Sequence, residues 1–142
     1  MQVSINIPLK ADIVHSVRFK MEVVRPGSSA QWRKAQVGHY AEKRGVYIHH
    51  SDGEILYVGN TTRGAYDFYQ RLRREFHPTT SGNSPLYRLL AEHPKDIYTY
   101  FLDLDDIDAM VDAGPMSLTK ERKALLMELT LIGIYAPRGN SL

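Results

Sequence analysis

The chain has 142 residues, with 18 Lys and Arg against 16 Asp and Glu, a formal net charge of +2 and no cysteine. A chain of this length can fold as one domain with a short appendage, and the absence of cysteine excludes disulfides, zinc ribbons and thiol nucleophiles. No apolar run reaches the length of a membrane span, and the N-terminal segment lacks the basic-then-apolar order of a signal peptide. These features favour a cytoplasmic protein with no membrane partner.

Basic and acidic residues are concentrated in different segments of the chain. Residues 1–45 carry eight Lys and Arg against three Asp and Glu, and residues 63–88 carry five Arg against two acids. Residues 92–112, by contrast, hold seven acids and one lysine. Clustered basic side chains can follow a phosphate backbone, although each cluster taken alone is equally consistent with a solvated face.

Residues 1–44 are predicted to form an N-terminal extension. Residues 2–9 and 16–25 alternate polar and apolar side chains as half-buried strands do, and a Pro-Gly-Ser-Ser sequence then interrupts the pattern. A helix is predicted over residues 30–44, although Gly38 weakens it by about 1 kcal/mol relative to alanine. The extension has three candidate roles, which are extending the sheet, forming a homo-oligomer contact and binding DNA. Its basic excess favours the last.

Residues 45–59 (GVYIHHSDGEILYVG) are predicted to form a β-hairpin, because two runs of β-forming residues flank a Ser-Asp-Gly turn. A three-residue loop at residues 51–53, with Gly53 in the left-handed conformation, places Tyr47 directly opposite Tyr57. A two-residue loop would instead place the two tyrosines on opposite faces.

This register predicts that the hairpin has two different faces, because side chains alternate along a strand and cross-strand partners share a face. One face is aliphatic and is expected to be core: Val46, Ile48, Leu56 and Val58. The other face is expected to form a site: Tyr47, His49, Ile55 and Tyr57.

A helix is predicted over residues 63–76, with an apolar stripe at helical spacing that is expected to be core: Ala65, Phe68, Tyr69, Leu72 and Phe76. Arg71 and Glu75 lie at one edge of this stripe, Arg73 lies at the other edge, and Arg74 lies further toward solvent. An arginine at such an edge can rest its stem on the core and reach toward the hairpin.

The chain beyond this helix is predicted to form a loop, a short helix and a strand. Residues 77–85 have the composition of a loop, residues 86–93 form a helix with Pro85 at its first turn, and residues 97–104 form a buried strand that returns to the hairpin. Residues 103–112 hold five aspartates. A solvated acidic turn and helix start is preferred there over a metal site, because the spacing lacks the glycine and terminal glutamate of a calcium loop.

The last predicted element is a helix from Ser117 to the residue before Pro137. Its second half is apolar nearly all round, which is typical of a helix buried in a domain, and it contains one carboxylate, Glu128. Burying an unpaired carboxylate costs several kcal/mol. Glu128 is therefore expected to have a partner, which is either a cation from the protein or a metal ion.

Two motifs in this chain occur in the order seen in one known family. The first consists of GVY at residues 45–47 and YVG at residues 57–59, and the second is E-x3-I-x4-P-x2-N at residues 128–140. Together they resemble the paired motifs of the GIY-YIG nuclease family over residues 45–142. The resemblance implies an α+β fold with a small, mainly antiparallel three-stranded central sheet flanked by helices. It also implies that a nuclease domain at residues 45–142 follows the extension.

The resemblance further implies a DNA endonuclease, restriction-type or from a phage or mobile element, that hydrolyses phosphodiester bonds with Mg²⁺ or Mn²⁺. Carried over by position, Tyr47 activates water, Tyr57 orients the nucleophile or the phosphate, Arg71 binds the phosphate, Glu128 holds the metal and Asn140 packs against the site. Secondary candidates are His49 and His77, and the candidate DNA contacts are Arg63, Arg71, Arg73 and Arg74.

The chain departs from the family pattern after the second tripeptide. The gap from Tyr57 to Arg71 is longer than the commonest family spacing, which implies an insertion around residues 63–66. Four positions past Arg71, where the family often has His or Tyr, stands Glu75. Arg71 and Glu75 can also form an i,i+4 ion pair worth about 0.3 kcal/mol. An alternative function is therefore a nucleic-acid-binding module that keeps the fold without cleavage.

Overall fold

The computed structural model describes residues 4–5, 13–15, 34–76 and 84–142. The strands within these ranges are β1 (Ser4–Ile5), β2 (Ile13–His15), β3 (Gly45–Ser51), β4 (Glu54–Asn60), β5 (Ile97–Asp103) and β6 (Val111–Asp112). The α-helices are α1 (Lys34–Val37), α2 (Phe68–Glu75), α3 (Pro85–Glu92), α4 (Leu104–Met110) and α5 (Lys120–Tyr135), and single 3-10 turns occupy Gly38–Tyr40 and Arg138–Asn140.

The centre of the fold is an antiparallel sheet with the strand order β2-β5-β3-β4. The three strands β5, β3 and β4 confirm the predicted α+β fold with a three-stranded antiparallel sheet, and β5 confirms the strand expected to return to the hairpin. The short β2 adds a fourth strand, so part of the N-terminal extension lengthens the sheet. The division of the chain at residue 45 stays a prediction.

The turn of the hairpin differs from the predicted one. Ser51 pairs with Glu54, so the loop contains only Asp52 and Gly53. Both loop residues have positive φ angles, 51° and 78°, as a two-residue type I′ turn requires. The predicted three-residue loop is therefore wrong.

The predicted register of the two tyrosines is also wrong, although both tyrosines lie on the same face of the sheet, as predicted. Tyr47 pairs with Gly59, and Tyr57 pairs with His49 rather than with Tyr47. The ladder then shifts between His49 and His50. This shift is a β-bulge, which places one extra residue on β4 and reverses the alternation beyond it, so a two-residue turn is compatible with both tyrosines on one face.

The shorter turn explains two errors in the predicted faces, because it shifts the alternation of β4 by one residue as far as the bulge. His50 pairs with Ile55, which leaves Leu56 as the extra residue of β4. Leu56 consequently packs in the cluster that contains Tyr47, and Ile55 packs against the opposite cluster. The sequence pattern had assigned these two residues the other way round.

The sheet separates two hydrophobic clusters, which are named here by the helices that cover them. The α2 cluster contains Val37, Tyr40, Ala41, Tyr47, Leu56, Phe68, Leu72, Phe76, Leu90, Ile97 and Phe101. The α5 cluster contains Val46, Ile48, Val58, Leu102, Ile107, Val111, Ala124, Met127 and Leu131. The hairpin is thus buried on both faces, and its residues divide between two cores.

Helix α2 begins later than predicted because Asp67 caps it. Its side chain accepts a hydrogen bond from the backbone of Gln70, whose own side chain bonds back to Asp67, which is a capping box. Residues 63–66 therefore belong to the loop after β4, and Ala65 is exposed rather than part of the apolar stripe. The predicted helix after Pro85 is confirmed as α3, with Ser84 as its cap.

The acidic segment after β5 forms a helix start, as preferred. Asp103 and Asp106 form a second capping box at the beginning of α4. Three aspartates of this segment pair with lysines: Lys43 with Asp103, Lys120 with Asp105 and Lys123 with Asp108. These pairs and caps account for the acidic cluster.

Helix α5 begins after the cap Thr119 and ends at Ala136, whose left-handed conformation, with φ 42°, terminates it. The expectation that its second half is buried nearly all round is wrong. Leu129, Ile134 and Tyr135 are 55%, 67% and 56% exposed. Only one side of α5 contacts the sheet, because a helix lying on a single sheet face buries a single stripe.

Several predictions concern the N-terminal third and the loop after α2. Strand β1 lies within the predicted strand 2–9, and the predicted helix 30–44 corresponds in part to α1, which Gly38, at φ 71°, follows. The predicted strand at residues 16–25 and most of the loop at residues 77–85 lie outside the described residues. No helix within the described ranges has the length and apolarity to cross a membrane.

Candidate active site

Tyr47 and Tyr57 lie side by side on the face of the sheet toward α2. Their ring centroids are 6.0 Å apart, Tyr47 is only 1% exposed, and Tyr57 is half-buried. Gly59 makes this arrangement possible, because a Cβ at that position would lie 2.2 Å from Cζ and 2.4 Å from the hydroxyl of Tyr47. The glycine of the second tripeptide is therefore required by the ring of the first tyrosine.

A buried carboxylate, Glu75, stands behind Tyr47. The Tyr47 hydroxyl donates to Oε2 of Glu75 at 2.5 Å, and Nε2 of His49 lies 2.7 Å from Oε1. Nδ1 of His49 lies in turn 2.7 Å from the hydroxyl of Thr99 on β5. Glu75 is 9% exposed, and His49 and Thr99 are fully buried. Two strands, β3 and β5, and helix α2 thus contribute to one polar network.

The donors and acceptors of this network follow from the carboxylate. An ionised carboxylate can only accept hydrogen bonds, so with Glu75 ionised both Tyr47 and Nε2–H of His49 donate to it. Nδ1 of His49 then accepts from the hydroxyl of Thr99. Each buried polar group in this arrangement has a partner, which such networks require to be stable.

Sequence reasoning noted Glu75 only as a departure from the family pattern and as a possible ion-pair partner of Arg71. Its place on the polar edge of α2, one turn from Arg71, was the available signal. A carboxylate that faces the same side as a buried tyrosine is a candidate hydrogen-bond acceptor for it. Of the residues that complete the network, Tyr47 and His49 were predicted as site residues, whereas Thr99 on β5 gave no comparable signal.

Arg71 lies on the same helix, one turn before Glu75. Its positive charge acts to lower the pKa of both Tyr47 and Tyr57, and its Cζ lies 5.9 Å from the ring of Tyr66. Its buried Nε has no hydrogen-bond partner within the described part of the chain. Within the described part of the chain, Arg71 and Glu75 do not form an ion pair. Glu75 pairs with His49 instead.

Glu128 lies on α5 with its side chain 13% exposed, and it pairs with Arg63, whose Nη2 is 3.2 Å from Oε1. The expected partner is thus a cation from the protein. Arg63 is itself 64% exposed, so it can leave the carboxylate at little cost. The negative charge of Glu128 acts to raise the pKa of Tyr57. Helix α5 therefore brings Glu128 to the edge of the tyrosine site.

The residues around Glu128 are compatible with a magnesium-type ion. Mg²⁺ keeps several waters and is commonly held by one or two carboxylates together with substrate phosphates. No group of three or more His, Asp or Glu side chains that could hold a metal occurs among the described residues. A metal at this site would therefore depend on Glu128 as its protein carboxylate.

Both phenols are held in the neutral form. Burial, followed by the charge of Glu75, raises the pKa of Tyr47 well above its usual value. Burial and then Glu75 raise the pKa of Tyr57 to about 12, while Arg71 and a hydrogen bond with Tyr47 act in the opposite direction. Tyr57 therefore lies where the electrostatic influences of Arg71, Glu75 and Glu128 meet.

Asn140 forms hydrogen bonds with the backbone of β4, the edge strand of the sheet. Its Oδ1 accepts from the backbone N–H of Val58 at 2.9 Å, and its Nδ2 donates to the carbonyl of Val58 at 2.8 Å. The side chain thus replaces a neighbouring strand next to Tyr57. Gly139 allows this approach, since a Cβ there would lie 2.5 Å from the carbonyl oxygen of Leu56.

The loop between β4 and α2, residues 61–66, is held in place by an arginine that sequence reasoning did not single out. Nη2 of Arg44 donates to the carbonyl oxygens of Thr61 at 3.1 Å, Thr62 at 3.2 Å and Gly64. This loop is the predicted insertion, and it carries Arg63 to Glu128.

The remaining predicted residues lie further from the tyrosines or outside the described ranges. Arg73 and Arg74 are exposed on α2, and Nη1 of Arg74 donates to the hydroxyl of Tyr66 at 2.7 Å. His77 lies outside the described residues. The structure thus groups Tyr47, His49, Tyr57 and Arg71 with Glu75, and it places Glu128 and Asn140 on the side of Tyr57.

Comparisons with known proteins give one likeness. No protein-family model matches the chain, and no curated protein matches it. Among solved structures, the chain is similar to the GIY-YIG N-terminal endonuclease domain of UvrC from Thermotoga maritima, a point mutant described as bound to the catalytic divalent cation. The TM-score is 0.44 and the identity 20%, over 75% of this chain and 91% of that chain. The function of the present chain is therefore argued from its own side chains.

Proposed function

We propose that this protein is a metal-dependent DNA endonuclease that hydrolyses phosphodiester bonds. The observation that supports it best is the meeting of Arg71 and Glu128 beside Tyr57, because 57 residues of sequence separate the arginine from the glutamate. Arg71 pairs with no carboxylate in the described ranges, which leaves it available to a phosphate. Glu128 is a nearly buried carboxylate with an exposed partner, which suits a divalent cation.

Arg71 is assigned to the scissile phosphate. The negative charge of the phosphoryl oxygens grows during hydrolysis, and a fixed guanidinium stabilises it through its planar fork of donors. Arg71 forms no ion pair within the described ranges, so the terminal nitrogens of its guanidinium keep donors for a phosphate oxygen. Its position next to both tyrosines would put that phosphate beside the hydroxyl of Tyr57.

Glu128 is assigned to the metal, Mg²⁺ or Mn²⁺. When bound, such an ion supplies positive charge at the phosphate and stabilises the leaving oxygen. Arg63 neutralises Glu128 in the absence of the ion and, being exposed, is free to move to a DNA phosphate when the carboxylate is engaged. The exposed Arg73 and Arg74 on α2 extend the basic surface available to the backbone of DNA.

A plasmid-nicking assay with Mg²⁺ or Mn²⁺ tests the proposal. Wild type is expected to convert supercoiled DNA to nicked or linear forms, and Glu128→Ala is expected to lose at least about 10³-fold in rate. Glu121→Ala is the matched control, since Glu121 is an exposed carboxylate in the first turn of the same helix. The proposal fails if wild type cuts no faster than Glu128→Ala on any DNA, with either metal.

A nucleic-acid-binding module without cleavage is the second candidate. One observation favours it. The hydroxyl of Tyr47 donates a hydrogen bond to Glu75, whereas a general base must accept a proton. Binding of a fluorescent duplex in EDTA distinguishes the two candidates. Arg71→Ala and Arg63→Ala would weaken such binding in a module, and no metal would be needed for it.

A further inference from the structure

A chain of hydroxyl groups leads from the surface of the site to a buried carboxylate. Tyr57 is half-buried, its ring lies 6.0 Å from that of the fully buried Tyr47, and the hydroxyl of Tyr47 is 2.5 Å from Oε2 of Glu75. The neighbouring hydroxyl of Tyr47 also acts to lower the pKa of Tyr57. The three groups thus form a path from solvent to the interior.

Tyr47 is poorly suited to act as the base that meets the attacking water. It is 1% exposed, and the backbone of Gly59 covers its hydroxyl. Burial and the charge of Glu75 also raise the pKa of Tyr47 well above its usual value, which disfavours a phenolate. Water would reach Tyr57 before it reaches Tyr47.

We propose that Glu75 is the final proton acceptor for the attacking water, and that Tyr57 and Tyr47 relay the proton to it while both remain neutral. This inference rests on the proposed nuclease function. Glu75 does not touch the substrate in this scheme, so it acts as a positioning and proton-accepting residue rather than as a catalytic one.

The relay is balanced in atoms and charge. As the water oxygen attacks phosphorus, its O–H bond breaks and the proton passes to the oxygen of Tyr57. The proton of Tyr57 moves to the oxygen of Tyr47, and the proton of Tyr47 moves to Oε2 of Glu75. The phosphorus bond to the leaving oxygen breaks with its electron pair, Glu75 ends as a carboxylic acid, and both phenols end as they began.

His49 and Thr99 hold the acceptor in place. The hydrogen bond from Nε2 of His49 to Oε1 leaves Oε2 directed to Tyr47, and Thr99 fixes the ring of His49 from the other side. The charged or titratable groups around Glu75 in the described residues are Tyr47 and His49 on β3, Tyr57 on β4 and Arg71 on α2. Glu75 is the one carboxylate in that set.

The experiment compares single-turnover cleavage of plasmid DNA by wild type, Glu75→Gln, Tyr47→Phe and the double variant. Glutamine keeps the shape of Glu75, and its amide nitrogen can donate to the oxygen of Tyr47 where the carboxylate accepted, but it takes no proton at neutral pH, so the cleavage step is expected to slow by about 10²-fold to 10⁴-fold. The affinity for DNA in Ca²⁺ and the melting temperature are expected to change little. Glu92→Gln, at an exposed position on α3, is the control for a lost carboxylate.

The double variant separates a relay from two independent roles. If Tyr47 and Glu75 act in one path, Tyr47→Phe slows Glu75→Gln by no more than about threefold further, since the path is already broken. The cleavage rate of wild type is expected to depend on pH, because a carboxylic acid cannot accept the relayed proton, and this dependence is expected to disappear in Glu75→Gln. A purely structural Glu75 would change the melting temperature and leave the pH profile in place.

Each outcome has a definite meaning. Losses that multiply in the double variant, or a pH profile that Glu75→Gln leaves unchanged, overturn the relay while the nuclease function stands. If wild type does not cleave, the proposed function fails and the relay fails with it. Cleavage by wild type that drops in Glu75→Gln with unchanged DNA affinity and a lost pH dependence supports the relay.

Discussion

The two faces of the hairpin come from alternating residues of the same strands, but they bury different chemistry. Toward α5 the strands present Val46, Ile48 and Val58, each at most 1% exposed, within an apolar cluster. Toward α2 they present Tyr47 and His49, which join a buried carboxylate and a threonine through hydrogen bonds. The side chains named on both faces are almost completely buried.

The difference teaches what each face contributes. Apolar burial stabilises the fold in proportion to the area removed from water, so the α5 side needs only the right volumes. A buried polar network gains little net stability and loses much if one partner is missing. The α2 side is therefore a poor way to obtain stability alone, and its cost is consistent with a role in chemistry.

The largest expected effect comes from adding one methyl group on the polar side. In Gly59→Ala the new Cβ would lie 2.2 Å from Cζ of Tyr47, so the tyrosine must move away from Glu75. Crowding of this kind lowers the free energy of unfolding by about 3 kcal/mol, and cleavage is expected to fall about 10²-fold from the misplaced hydroxyl. Urea unfolding and plasmid nicking measure the two effects.

Gly133→Ala is the matched control on the other side of the sheet. Gly133 lies within α5, and a Cβ there meets nothing within 4 Å, so alanine is expected to raise stability by about 0.5–1 kcal/mol and to leave cleavage unchanged. Equal effects of the two glycine substitutions would contradict the view that Tyr47 requires Gly59.

The sequence predicts the part of this contrast that depends on neighbouring residues along a strand, but not the part that depends on how two strands pair. Alternation along the strands predicts that Val46, Ile48 and Val58 are core and that Tyr47 and Tyr57 share the other face, because side-chain direction is a local property. The bulge in β4 was not predictable in this way. It depends on how the backbone of β4 pairs with β3, and without it a two-residue turn gives the observed faces of Ile55 and Leu56 but places Tyr57 and Val58 on the wrong ones.

The site shows the same limit. The sequence identifies Glu128 as a carboxylate in need of a partner, because its neighbours on the helix are apolar, but the partner Arg63 is far away in the chain and is delivered by a loop that Arg44 holds. Glu75 likewise looks like a partner for Arg71 until β3 brings Tyr47 and His49 to it. Local spacing predicts pairs on one helix, whereas the observed pairs are set by the packing of α2 on the sheet.

The second prediction concerns pH, because the polar face carries a tyrosine whose pKa is raised. The pKa of Tyr57 is raised to about 12 in the folded protein, against about 10 for an unfolded tyrosine. The folded state therefore binds this proton more tightly. The resulting stability is fully present below pH 10 and is lost as the pH rises from about 10 to about 12, by up to about 2 kcal/mol.

Urea unfolding of wild type and Tyr57→Phe between pH 9 and about pH 11.5 measures this contribution. The two proteins are expected to converge in stability as the pH rises, since phenylalanine has no proton to lose. Tyr135→Phe, which removes a tyrosine that is 56% exposed on α5, is expected to stay parallel to wild type. Parallel curves for Tyr57→Phe would show that Tyr57 is not held neutral by its surroundings.

The smallest expected effect comes from two opposite substitutions. One replaces a hydroxyl by a methyl group on the polar face, and the other replaces a methyl group by a hydroxyl on the apolar face. Thr99→Val keeps the shape of a fully buried residue but leaves Nδ1 of His49 without the threonine hydroxyl, which is expected to cost about 1 kcal/mol. Val58→Thr places a hydroxyl in the α5 cluster and is expected to cost a similar amount. The two variants should therefore have similar stabilities in urea unfolding but different cleavage rates.

In Thr99→Val, His49 loses its hydrogen bond with the threonine hydroxyl, so His49 and the Glu75 side chain bonded to it are held less firmly. Thr99→Val is therefore expected to slow cleavage several-fold per folded molecule. Val58→Thr leaves that network intact, so an equal loss of cleavage in both variants would mean that the polar face acts on the reaction only through the stability of the fold.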